Sequence, residues 1–292
     1  MGCIEKAFAA ARRRGGRIVM PEMDDPRIAS AAALIRREGI AEPLDLTAAR
    51  PAHAYLEVML RARPALKPSL ALRLLDKPLF RAAAMVAAGE ADVLLAGAAA
   101  PTRRVIEAAA MTIGLAEGVS TPSSFFVMLI PDGRELLFAD CAVNVAPDAG
   151  ALCDIARASL RSAQALLGSG RLALLSFSTA ASGAGPSVDL VREAQARLAA
   201  EGVDALGPVQ ADAALDPAIA ARKGLGDVQA ANVLVFPSLD AGNIAYKLLQ
   251  RLGGAQAVGP FLQGFARPVC DLSRGAGVDD IVIAAAISIA SA

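Results

Sequence analysis

Four short, continuous, β-branched apolar runs constrain this chain most strongly: residues 17–22, 92–98, 172–177 and 232–236. Runs of this length without polar alternation read as strands buried on both faces, the mark of a parallel sheet. Between them lie Ala- and Leu-rich stretches with charges at helical spacing, over residues 27–38, 78–88, 148–167 and 187–201. The alternation predicts a doubly wound α/β fold. One segment departs from it. Residues 123–130 and 135–141 are apolar runs separated by Pro131-Asp132-Gly133, which reads as a tight turn between antiparallel strands. A hairpin inside a parallel architecture marks an edge or a domain crossing, and we place a boundary near residue 118, at Glu117-Gly118.

A length of 292 residues fits about two domains of roughly 150 residues, or one large unit. Lys+Arg 29 balance Asp+Glu 29, so there is no basic surplus for a phosphate backbone, and nucleic acid is not an expected partner. Aromatics at 4% and the absence of Trp leave little with which to stack bases. Only five of the 29 basic residues are Lys, a bias that with the high Ala content reads as base composition rather than function. The one histidine, His53, follows a Pro51-Ala52 turn and reads as a surface residue. Cys3, Cys141, Cys153 and Cys270 share no metal spacing and read as buried thiols in a reducing compartment. No metal site is expected. Residues 1–14 carry charges and no apolar core, and the longest apolar stretch, 281–292, is shorter than the ~20 residues a bilayer demands. The expectation is a cytoplasmic protein without a membrane partner.

The common nucleotide and hydrolase motifs are missing: no P-loop, no dinucleotide fingerprint after a strand, no G-x-S-x-G elbow. Three polar loops after strands remain, where open α/β sheets bind ligands. Residues 175–186 carry Ser176, Ser178, Thr179, Ser182 and two glycines, which suit either an anion cradle or an ordinary βα loop. Residues 240–251 place Gly242-Asn243 where a helix could start, with Asn243 as its cap and Lys247 one turn inside; the cap account leaves Tyr246 beside them unexplained. Residues 271–282 combine Ser273, Arg274 and two glycines ahead of a helix, a set suited to a phosphoryl group. Asp279 and Asp280 then fall in that helix's first turn, where they either complement its dipole or supply a general base. Residue chemistry alone does not separate the two.

Five segments occur in order: Gln-Ala-Asp-Ala-Ala-Leu at 210–215, Ala-Asn-Val-Leu-Val-Phe-Pro at 231–237, Ala-Gly-Asn-Ile-Ala-Tyr-Lys at 241–247, Gly-Pro-Phe-Leu-Gln-Gly at 259–264 and Asp-Leu-Ser-Arg-Gly at 271–275. With Pro21-Glu22-x-x-Asp25-x-Arg27, Ser123-Ser124-Phe125-Phe126 and residues 138–144, they closely resemble the phosphate acetyltransferase (phosphotransacetylase) family in its short form. The resemblance covers nearly the whole chain. It implies two α/β/α domains of the isocitrate/isopropylmalate dehydrogenase type, residues 1–118 with 262–292 and an inserted 119–261, an active-site cleft between them, and a homodimer. It also implies reversible acetyl transfer between acetyl phosphate and coenzyme A in a ternary complex, without a covalent acetyl-enzyme. Coenzyme A and acetyl-CoA are then substrates, and no tightly bound cofactor is expected.

By motif position, the resemblance makes Asp280 the base for the CoA thiol, with Ser273 and Arg274 beside it in catalysis. It assigns acetyl phosphate or phosphate to Arg274, Ser123, Ser124, Thr102, Asn243, Tyr246 and Lys247. A thiol of pKa ~8.5 is mostly protonated at neutral pH, so a positioned carboxylate helps. The CoA 3′-phosphate is assigned to Arg61 and Arg103. There the sequence departs from the family, which carries an arginine where this chain has Glu107; Arg103, four residues earlier on the same helix face, is the expected substitute. The Pro-Gly-Ser stretch of the family is also altered, to Lys223-Gly224-Leu225-Gly226-Asp227. Transfer of another acyl group, such as butyryl, and a silent paralogue that binds CoA or an acyl phosphate are the alternatives. Intact Ser273, Arg274 and Asp280 weigh against silence.

Overall fold

The computed structural model describes residues 2–292. The chain folds into two compact units, one made of residues up to Val119 together with Gly259–Ala292, the other of Ser120–Val258. The first contributes β1 (Arg17–Val19), β2 (Glu42–Leu44) and β3 (Val93–Ala96). The second contributes β4 (Ser123–Leu129), β5 (Glu135–Ala139), β6 (Leu172–Leu175), β7 (Ala205–Val209) and β8 (Val233–Val235). β9 (Gln256–Gln263) carries the chain back to the first unit, which ends with β10 (Val269–Asp271) and a helix over Val278–Ala290.

In the first unit the strands run β2-β1-β3-β10, all parallel, and Phe261 and Leu262 of β9 pair antiparallel with β10. β3 is buried at all four positions, as a continuous apolar run demands. Helix Val278–Ala290 buries Ile281, Ala285, Ile287 and Ile289 and packs against helices Cys3–Arg14 and Pro26–Arg37. A second cluster holds helices Pro78–Ala87 and Thr102–Thr112.

In the second unit, β4 and β5 form an antiparallel hairpin, with Asp132 accepting from the Arg134 N–H at the turn and Gly133 at φ 91. From β5 onward the order β5-β8-β6-β7 is parallel. Its core joins Phe126, Phe138, Leu234 and Phe236, and helix Ala149–Leu167 is capped by Asp148, which accepts from the Ala151 N–H at 2.8 Å. The chain is thus α/β, with parallel strands at the core of each unit.

Candidate active site

The parallel strands β1, β3 and β10 lie side by side, so their C-terminal ends deliver three loops to one edge: 20–25, 97–101 and 272–277. Two side chains from the first loop organise the other two. Glu22 spreads its carboxylate under four consecutive N–H groups. Gly97 and Ala98 donate to Oε2 at 2.9 and 2.8 Å, and Ala99 and Ala100 to Oε1 at 3.2 and 2.8 Å. Asp25 caps helix Pro26–Arg37 through the Arg27 N–H and also grips the Arg27 guanidinium, at 2.7 Å from Nη2. That guanidinium then donates to the carbonyls of Arg274 at 2.7 Å, Ala276 at 3.0 Å and Ala98 at 3.2 Å. Its side-chain hydrogen bond to Asp25, with the Arg27 N–H and the guanidinium charge adding to it, holds the Asp25 carboxyl below the usual carboxylate range.

Behind these loops sits Asp271, 1% exposed at the end of β10. The Thr102 hydroxyl donates to its Oδ2 at 2.5 Å, while Oδ1 has no hydrogen-bond partner among the described residues. Burial pushes the carboxyl up to about 7; the Thr102 hydroxyl opposes the rise and the Glu22 charge adds to it. Gly97 is required here: its φ is +107, and a Cβ would stand 2.4 Å from Asp271 Oδ1 and 2.8 Å from the Leu272 nitrogen. A cleft of about 600 Å³ opens beside the loops, lined by Pro21, Asp24, Lys77, Phe80, Ala100 and Arg104.

On this edge the structure brings together Thr102, Ser273, Arg274 and Asp280. Ser273 and Arg274 are exposed, and Ser273 Oγ accepts from the Gly275 N–H at 3.3 Å. Asp280 lies in the first turn of helix Val278–Ala290, where its Oδ2 accepts from the Gly277 N–H at 3.0 Å; Asp279 beside it is exposed. A hydroxyl, a guanidinium and an oriented carboxylate therefore share eight residues of chain, a set that can hold a phosphoryl group and take up a proton. Arg61 and Arg103 are both exposed, on helices Leu56–Ala62 and Thr102–Thr112. Glu107 pairs with Arg104 at 2.7 Å, and Arg104, not Arg103, lines the cleft.

The second unit gathers a separate set. Asp140, 2% exposed after β5, accepts from the Ser124 N–H and hydroxyl, from the N–H groups of Ala142, Val143 and Asn144, and from Asn144 Nδ2. Ser123 and Ser124 are fully buried, and the Ser124 hydroxyl is thus committed to this loop. Asn243 Nδ2 donates to the Cys141 carbonyl at 3.1 Å. Burial and the adjacent Asp140 charge raise the Cys141 thiol well above its ordinary value. Tyr246 stacks on Phe126 at 4.3 Å between ring centroids, and Lys247 Nζ stands 4.8 Å over the Tyr246 ring.

One expectation changes, and one open alternative closes. The helix does not start at Gly242-Asn243: it spans Leu239–Leu252 with Ser238 as the cap, accepting from the Ala241 N–H at 3.3 Å. Gly242 serves close approach instead, since a Cβ there would stand 2.3 Å from the Asp140 carbonyl oxygen. In the loop after β6, the Ser178 and Ser182 hydroxyls meet at 3.3 Å, the Thr179 N–H donates to Ser182, and the Thr179 hydroxyl turns to Gln210. Those groups brace the loop itself, the ordinary βα account. The framing residues Glu22, Arg27, Asp140 and Asp271 carried no separate signal in the sequence beyond their places in matched segments.

The sequence pattern of the family described as "Phosphate acetyl/butaryl transferase" matches residues 47–289. A phosphate acetyltransferase of Paracoccus denitrificans is 39% identical, covering 98% of this chain and 98% of its own length. One of Nitrosomonas europaea is 38% identical over 93% of this chain, which spans only 43% of that longer relative. Among solved structures, a phosphotransacetylase from Streptococcus pyogenes superposes with a TM-score of 0.89 at 33% identity, covering 99% of this chain and 98% of that one. Among the described residues, no group of His, Cys, Asp and Glu is arranged to hold a metal ion, and no helix is long and apolar enough to cross a membrane.

Proposed function

From the premise that the chain belongs to the phosphate acetyl/butaryl transferase family, we propose that it is a phosphate acetyltransferase, an acyltransferase that moves acetyl reversibly between acetyl phosphate and coenzyme A. The observation that carries the reading is the Ser273-Arg274 loop at the end of β10, running directly into a helix whose first turn holds Asp280. Asp280 takes the proton from the CoA thiol, and the thiolate sulfur attacks the acetyl carbonyl carbon. The new C–S bond forms as the C–O bond to phosphate breaks, and the electron pair leaves on the phosphate oxygen. Arg274 offsets the phosphate charge through its planar fork, and Ser273 donates to the oxygen on which charge develops. The proton held by Asp280 passes to the departing phosphate or to solvent, so acetyl transfer is complete without an acetyl-enzyme. Coenzyme A and acetyl-CoA act as substrates, with no resident cofactor.

In the second unit, Asn243, Tyr246 and Lys247 are assigned to acetyl phosphate, supported by the shared helix that carries all three. The same helix presents Ile244, Leu248 and Leu252 at i, i+4 and i+8, 56%, 52% and 83% exposed. An apolar stripe of that kind supports a homodimer formed through this face. A cytoplasmic location fits an enzyme using these substrates and the four buried free thiols.

The test is thioester formation from acetyl phosphate and CoA. Wild type should turn over, and Asp280→Asn should lose about 10²–10⁴-fold in kcat, the usual contribution of a general base. A fully folded wild type without thioester formation overturns the activity; near-normal turnover by Asp280→Asn overturns the base.

A further inference from the structure

The first-unit loops owe their shape to a side chain that the chemistry above leaves unused. We infer that Arg27 is a positioning residue for the Ser273-Arg274 loop, and through it for the acetyl-phosphate end of the reaction. The inference rests on the reading that this loop takes acetyl phosphate.

The geometry is specific. Asp25 fixes the guanidinium on one side, with Oδ1 3.1 Å from Nε and Oδ2 2.7 Å from Nη2. The remaining donors point to carbonyls on two other loops, Arg274 and Ala276 after β10 and Ala98 after β3. Of the groups it anchors, the Arg274 carbonyl belongs to the residue assigned to the phosphoryl group, and Ala276 immediately precedes the Gly277 cap that holds Asp280. A planar five-donor fork is the one side chain able to serve three carbonyls and a carboxylate together; a Lys ammonium has three donors and no fixed plane. Loop residues lack a ladder of their own, so their carbonyls here are held by Arg27 or by water. Glu22 does the complementary task with the opposite sign, gathering N–H groups at 97–100, and touches none of the carbonyls after β10. The two side chains meet only at Ala98, whose N–H goes to Glu22 and whose carbonyl goes to Arg27, and of the two only Arg27 holds the loop after β10.

Separate readouts follow from that division. In Arg27→Lys and Arg27→Gln, kcat should fall about 10²-fold, the loss expected when reacting groups drift by about 1 Å. KM for acetyl phosphate should rise while KM for CoA stays near the wild-type value. Millimolar guanidinium should restore part of the kcat of Arg27→Ala. Independently of activity, amide exchange at residues 275–278 should speed up in every Arg27 variant. Glu22→Gln should instead speed exchange at 97–100 and leave 275–278 as in wild type. Unchanged exchange at 275–278 in the Arg27 variants overturns the inference, as does acceleration spread through the whole first unit with a matching fall in melting temperature. If wild type makes no thioester, the proposed activity fails on its own account, and the exchange pattern still decides whether Arg27 positions the loop.

Discussion

Asp271→Asn should remove one large pH-dependent contribution to the stability of the first unit. The carboxyl is 1% exposed and burial pushes it up to about 7. A carboxyl whose pKa is higher in the folded than in the unfolded chain binds its proton more tightly when folded. Its contribution to stability is therefore fully present below the unfolded value of 3.8 and is lost as pH rises through about 7. That rise corresponds to about 4 kcal/mol between the two extremes. Asparagine keeps an acceptor for the Thr102 hydroxyl and has no proton to lose. Its amide nitrogen takes the place of Oδ1, which has no partner among the described residues, so a constant cost of about 1–3 kcal/mol is expected at every pH. The test lies in the slope. Urea unfolding of both proteins from pH ~4 to pH ~9 should show the variant gaining on wild type as pH rises, by up to about 4 kcal/mol. Two curves that stay parallel across that range refute the reasoning, because Asp271 would then titrate alike in the folded and unfolded chains.

Arg274→Gln should raise KM for acetyl phosphate and lower kcat, with Arg274→Lys recovering only part because the planar fork is lost; an unaffected saturation curve removes this residue from the site. Asp279→Asn should leave turnover near wild type where Asp280→Asn does not, since adjacent helical positions point about 100° apart; steady-state kinetics of the pair decide it. If Arg61 and Arg103 hold the CoA 3′-phosphate, dephospho-CoA should show a higher KM at similar kcat, and Arg61→Ala or Arg103→Ala should erase the difference. Equal wild-type kinetics with both substrates sink that assignment, and an effect confined to Arg104→Ala moves it to the residue that lines the cleft. Gly242→Ala should cost about 1–3 kcal/mol of second-unit stability, because a Cβ 2.3 Å from the Asp140 carbonyl oxygen forces the loop or the helix to move; a melting temperature equal to wild type contradicts the close approach.

Strands were legible where burial on both faces writes a continuous apolar run, as in β3, β6 and β8. β2 and β7 left no such trace. Each ends the order of its own unit's sheet, and each contains a proline, Pro43 or Pro208, which an edge position tolerates and a central one does not. β10 escaped for a different reason: three residues long, it ends on the charged Asp271, whose acidity is changed by burial that only the fold creates. Helix Leu239–Leu252 was read five residues short, with Asn243 in place of Ser238 as its cap, because Gly242-Asn243 looks like a start signal. Its glycine answers instead to a carbonyl about a hundred residues away in sequence, which only the packed structure supplies.

The candidate site divides along the same physical line. Ser273 and Arg274, with Asp279 and Asp280 after them, stood out because their side chains lie within eight residues of one another and carry complementary chemistry, while the choice of Asp280 as the base came from the resemblance to the family. Arg27 and Glu22 act on backbone groups. The Arg274 carbonyl lies 247 residues from Arg27, and the Gly97 N–H lies 75 residues from Glu22. Every residue has a carbonyl and all but proline an N–H, so a side chain that binds them leaves no complementary residue type for a sequence pattern to detect. Asp140 belongs with these two: four of its donors are backbone N–H groups, from Ser124, Ala142, Val143 and Asn144. Chemistry carried by side chains is therefore readable from residue type and spacing. The charged residues that hold loops in place become visible only once the loops have been brought to them.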